Sequence, residues 1–154
     1  MPFPRSGRAL QSLSAAAMST LLLASAMKHF RDPGFYRQVV PGYLCLEDSR
    51  GGTQPDRRRP LAVMTKDEWI AVSGLLELAA AVGILVPPAR RATATALTAM
   101  YAVFLAGHVD ALRNAYGPDG TPVLRLVHSL RLPLQAPLIV WAWSLRKPLP
   151  GAHT

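Results

Sequence analysis

Glu77 is the only Asp, Glu, Lys or Arg between positions 69 and 89, and it sits inside the run VSGLLELAAAVGILV (72–86). A carboxylate among so many apolar neighbours needs a partner, because desolvating an unpaired charge is costly. The matching group is Arg131, in the equally apolar RLPLQAP (131–137). If each lies on a helix entering an apolar layer, Glu77 is eight residues past Trp69, about 12 Å deep at roughly 1.5 Å per residue, and Arg131 is six past Arg125, about 9 Å deep by the same rise. An arginine side chain bridges that difference, so Glu77 and Arg131 are expected to pair. Gln135 lies one turn beyond Arg131 and His128 one turn before it, on the same face. His29 and His108 close two other apolar stretches. Glu77, Arg131, Gln135, His108, His128 and His29 are thus the candidate buried polar cluster, drawn from all four long apolar segments.

Such a cluster can do two things. It can fix the register of packed helices. It can also seat a ligand, such as a quinone headgroup, or carry a proton, since ionisable groups inside a membrane are functional by default. Metal binding is not expected, because no two of these histidines share a helix at ligand spacing. No P-loop, GxSxG, GxGxxG, HExxH or CxxCH motif occurs. The chain is therefore not expected to be catalytic on its own, and its catalytic residues, if any, are unknown.

The elements that position these residues are long and nearly free of charge. Windows 9–27, 69–89, 92–109 and 132–145 contain no Asp, Glu, Lys or Arg except Glu77. A bilayer core needs roughly 20 apolar residues per helix. A water-soluble bundle would instead show a polar stripe along each helix, which 92–109 lacks. The expectation is an all-α, integral membrane four-helix bundle forming a single domain over 1–154, with spans at 9–30, 69–86, 92–112 and 123–145. A loop over 31–67 contains the arginine-rich segment 50–60 and is expected to be mobile. The alternatives are a soluble bundle, or a cleaved signal peptide ending near Ala24-Ser25-Ala26.

Several finer features follow. Ala79 and Gly83, and Ala102 and Ala106, are small pairs four apart, which suggests that spans 2 and 3 form a tight hairpin across a turn at Arg90-Arg91. Pro133 and Pro137 fall inside span 4, which should kink. Trp69, Trp141 and Trp143 stand near span ends, as interfacial anchors do. Asp110 and Arg113 suggest an interfacial ion pair.

The net charge of +8 is carried by arginines flanking apolar runs rather than striping one helix face, so no nucleic-acid partner is expected. Cys45 is the only cysteine, so no internal disulfide or CxxC pair can form. Arg5, Arg8, Arg90, Arg91, Arg146 and Lys147 gather on one side of a four-span chain, which favours the plasma (cytoplasmic) membrane with both termini in the cytoplasm. The expected partners are the lipid bilayer and a second copy of the chain.

Several segments resemble the DoxX family of small four-helix membrane proteins. They are Lys28-His29-Phe30, Asp32-Pro33-Gly34-Phe35-Tyr36 and Val39-Val40-Pro41, then Val72-Ser73-Gly74-Leu75-Leu76-Glu77-Leu78, Gly83-Ile84-Leu85-Val86-Pro87 and Arg131-Leu132-Pro133-Leu134-Gln135. The resemblance implies four spans and an accessory subunit of a membrane redox, quinone-linked complex with protein partners. It equally admits a noncatalytic scaffold or chaperone in which the Glu-Arg pair is structural. Two departures stand out. The connection before the second span is long, and Phe104-Leu105-Ala106-Gly107-His108 replaces the Phe-Pro-x-Asn pattern of many members.

Overall fold

A computed structural model describes residues 4–46 and 62–147. Among these residues the chain forms four α-helices and no strand: α1 (Pro4–Arg31), α2 (Lys66–Gly83), α3 (Arg90–Ala115) and α4 (Pro122–Ser144). Two short 3-10 turns, Pro33–Phe35 and Gly42–Leu44, shape the connection after α1. An isolated parallel bridge pairs Cys45 with Met64, just before α2. The arginine-rich segment 50–60, expected to be mobile, lies outside the described residues.

The helix ends have local causes. Asp32 precedes Pro33, which disfavours helical backbone, so α1 stops at Arg31; Lys28, His29 and Arg31 in its last turn face the negative end of the helix dipole. A complete capping box starts α2: Thr65 Oγ1 accepts from Glu68 N, and the Glu68 carboxylate accepts from Thr65 N. That box moves the helix three residues upstream of the expected span at 69–86. The chain leaves the helix at Ile84 and turns through Pro87-Pro88. Arg90 and Arg91, expected as the turn, instead open α3. Thr121 caps α4, which continues as one helix through Pro133 and Pro137.

Three helices, at Gly7–Arg31, Arg90–Ala115 and Pro122–Ser144, are long and apolar enough to cross a membrane. The expected fourth, α2, falls short of that standard. Its 18 residues include Lys66, Asp67 and Glu68 in the first turn, besides Glu77. Along every helix large apolar side chains face outward, among them Leu13, Leu23, Leu75, Val82, Val103, Val123, Leu130 and Val140. Outward-facing apolar surface on this scale marks a membrane or interaction surface.

The inner packing is asymmetric. α1 packs chiefly on α2, and α3 chiefly on α4. Ala15, Met18, Leu22, Ala81, Ile84, Ala94, Leu97, Tyr101, Ala142 and Leu145 form one buried core. Ser19 Oγ donates to Ala81 O (2.8 Å) and Trp141 Nε1 to Ser14 Oγ (2.8 Å), tying α1 to α2 and α4. The tight hairpin expected between spans 2 and 3 is not formed along their length. The two helices meet closely where Gly83 faces Thr93, since a Cβ at Gly83 would lie 2.5 Å from Thr93 Oγ1. Beyond that point a cavity separates them, and the small residues Ala96, Ala99 and Ala106 line it rather than touching α2.

Candidate functional site

His29, in the last turn of α1, anchors the site. Its Nδ1 lies 3.0 Å from Ile70 O. A carbonyl can only accept, so Nδ1 carries a proton and Nε2 faces Glu77 Oε1 at 3.7 Å. The Tyr36 ring stacks on the imidazole, with centroids 3.6 Å apart and planes 13° from parallel. Gly74 admits this arrangement: a Cβ there would lie 2.8 Å from His29 Cβ. Gly74 therefore serves helix crossing, and Glu77 follows one turn later on the same face. Tyr36 is held in turn by Ser25, its hydroxyl lying 3.3 Å from Ser25 Oγ. Burial raises the Tyr36 phenol above its ordinary range, so it stays protonated at neutral pH.

Glu77 is 4% exposed, and its Oε2 is buried without a partner. The expected pairing with Arg131 is not formed. The Arg131 guanidinium lies over the Phe35 ring, 4.3 Å from its centroid, while the acid takes the nearer imidazole. Depth along each helix does not decide the pairing, because the Asp32–Tyr36 connection brings Phe35 to Arg131 and Tyr36 to His29.

The structure gathers five of the six candidate residues around one cavity of about 650 Å³: His29, Glu77, His108, Arg131 and Gln135. His128 does not line it. That ring is buried behind the cavity, with Nε2 donating to Gln38 Oε1 (3.1 Å). Gln135 is 8% exposed and its Oε1 has no partner; nor does the buried His108 Nδ1. Gly107, beside His108, lets the connection cross α3, for a Cβ there would collide with Val39 O. Most of the remaining wall is apolar, including Leu76, Met100, Val103, Phe104, Leu134 and Leu138.

Sequence reasoning missed Tyr36, Trp69, Ser73 and Tyr101 as parts of the wall. Tyr36 and Ser73 stood in motifs already singled out, yet nothing in their spacing marked them as cavity residues. Trp69 and Trp141 are not simple interfacial anchors: the Trp69 indole donates to Leu44 O (2.9 Å) and that of Trp141 to Ser14, both inward. Only Trp143 faces out, with Arg146 stacked 3.7 Å over its ring. Asp110 and Arg113 do not pair; Asp110 accepts from Asn114 Nδ2 at 3.5 Å. Among the described residues, no group of three His, Cys, Asp or Glu side chains could hold a metal ion.

Comparison with curated proteins and with solved structures finds no match. Residues 18–146 match a family described as a domain of unknown function (DUF8561). This finding overturns the DoxX resemblance. The short motifs behind it have local explanations: the glycine and glutamate of VSGLLEL serve the α1–α2 crossing, and the Asp32-Pro33 step ends a helix. Both are solutions that unrelated helical bundles can share. With most of its length matched, the chain belongs to the DUF8561 family.

Proposed function

We propose that the chain is a multi-pass membrane protein that binds a small amphiphile in the cavity lined by all four helices and the connection after α1. The observation that carries this reading is the cavity itself. It is large enough for a small organic molecule, its wall is mostly apolar, and three residues of that wall, Glu77, Gln135 and His108, each hold a buried polar atom without a partner. Buried polar groups in native proteins are normally satisfied, so a ligand that supplies the missing bonds accounts for them. Leu76, Val103 and Leu134 line the cavity and are each more than half exposed, so the cavity is open, which suits entry from the surrounding lipid.

In this reading α2 is the fourth span, with Lys66, Asp67 and Glu68 at the interface. Arg8, Arg90, Arg91, Arg146 and Lys147 form the basic cytoplasmic side of a plasma-membrane protein. The quinone-linked redox role entered through the DoxX resemblance. What remains of it is the ligand class, since a quinone-type headgroup on an apolar tail is one amphiphile of suitable character. A second reading, a scaffold without a ligand, is favoured by one observation: Gly74, Ile70 O and Glu77 also fix the crossing of α1 on α2.

Native mass spectrometry of gently purified protein separates the two. Wild type should carry a small apolar adduct that Ala99→Trp, which fills the cavity, removes while folding normally. Equal adducts in both proteins, or none in either, would favour the scaffold.

A further inference from the structure

We infer that the ligand's polar end is a hydrogen-bond donor, a phenol or alcohol hydroxyl, rather than a carbonyl; the inference rests on the ligand-binding reading above. The wall carries both donors and acceptors. Its donors are largely spent on the protein: His29 Nδ1 on Ile70 O, Ser73 Oγ on Trp69 O, Trp69 Nε1 on Leu44 O, and the Tyr101 hydroxyl on Met18 Sδ. The Tyr36 hydroxyl is engaged by Ser25. The donors left free are the N–H groups of Arg131, which is only partly buried and lies against Phe35, the Gln135 amide nitrogen and the half-exposed Tyr43 hydroxyl.

The unpartnered buried atoms are of the other kind. Glu77 Oε2 and Gln135 Oε1 are oxygens that accept, and both side chains are more than nine-tenths buried. His108 Nδ1 accepts in one of its two neutral tautomers. A hydroxyl brings one proton to such a site and can reach one of these acceptors at a time, or relay between two. A carbonyl or ether oxygen could accept from Gln135 Nε2 or Arg131, but it would bring no proton to Glu77 Oε2, Gln135 Oε1 or His108 Nδ1 and would leave these buried acceptors unsatisfied. The same logic ranks a quinol above its quinone, because only the reduced ring carries O–H groups.

The test is a matched pair of ligands that differ in one proton. The full chain in nanodiscs is titrated with 4-octylphenol and with its methyl ether, and occupancy is read by native mass spectrometry. Dioctanoylglycerol, in a parallel titration, represents a hydroxyl supplied by a bilayer lipid rather than by a free phenol. The expected result is at least tenfold tighter binding of the phenol or of the lipid alcohol than of the ether. Glu77→Met, which removes a carboxylate that only accepts, should narrow that ratio several-fold; Gln135→Met, which removes the amide's N–H groups along with its acceptor, should narrow it less. Equal affinity for phenol and ether in wild type would overturn the donor assignment and leave the cavity reading intact. Binding that Ala99→Trp does not reduce for any of the three would overturn the cavity reading, and this inference with it.

Discussion

Gly74 lies directly beneath His29, so close that a Cβ at position 74 would stand 2.8 Å from His29 Cβ. The contact sets how far α1 and α2 can approach, and so where His29 meets Ile70 O and Glu77. Backbone on one side and a side-chain root on the other leave little room to yield. Gly74→Ala should therefore destabilise the folded protein by about 1–3 kcal/mol, the usual cost of overpacking. Thermal unfolding in detergent reads this directly, and an unchanged midpoint would remove the close crossing from the account.

The His29–Glu77 relationship predicts a specific coupling. In a double-mutant cycle with His29→Gln and Glu77→Gln, the coupling energy should fall at about 0.5–3 kcal/mol, as for residues in one buried network. The cycle pairing Glu77→Gln with Arg131→Gln should give the smaller value, because Arg131 engages Phe35. The reverse order would restore the acid–guanidinium pair that the sequence suggested.

Gly107 makes room for the connection after α1, which crosses α3 at Val39. Gly107→Val should push that connection off the bundle and uncover the cavity. Limited proteolysis or amide exchange over 36–45 should rise several-fold, while α3 itself stays protected. Protection unchanged over 36–45 would contradict the crossing.

The capping box of α2 should respond to acid. The Glu68 carboxyl is held below its ordinary value of 4.5, first by the hydrogen bond from Thr65 N and then by that from the Thr65 side chain. A depressed carboxyl contributes stability that is present above its unfolded value and is lost as pH falls through the folded one. Fraying of the first turn of α2 should therefore begin below about pH 4.5. Glu68→Gln should remove this pH dependence, and Thr65→Ala should cost about 1 kcal/mol as a lost N-cap. Exchange in the first turn that ignores pH over this range would argue against the box.

The sequence was most legible where one force dominates. Long runs without charge marked the helices, and proline and Asp-Pro steps ended them within a few residues of where they stop. Glu77 and Gln135 are buried on apolar runs, whereas His29 and His128 are buried although Lys28, Arg31, Ser129 and Arg131 stand close to them in sequence. Partners were harder to read. Glu77 had one formal cation at similar depth, and charge alone chose Arg131; geometry chose His29, through Gly74 and a connection whose path no periodicity records. The start of α2 was missed for a related reason. Thr65 and Glu68 cap one another through backbone contacts, and an apolar count passes over them. The small residues of α3 were read correctly as small and wrongly as a helix contact, because the same alanines can let a helix close in or leave a space open.

The account depends on that space being occupied from an apolar phase. A photoreactive alkylphenol, activated in nanodiscs with the full chain, tests it most directly by mapping which peptides it labels. Labelling should concentrate on the α2 wall around Val72 and Leu76, the α3 wall from Ala96 to Val103, and Leu134, and both unlabelled 4-octylphenol and Ala99→Trp should suppress it. Labelling spread evenly over outward residues such as Leu13, Val123 and Val140, and indifferent to competitor and to Ala99→Trp, would contradict it.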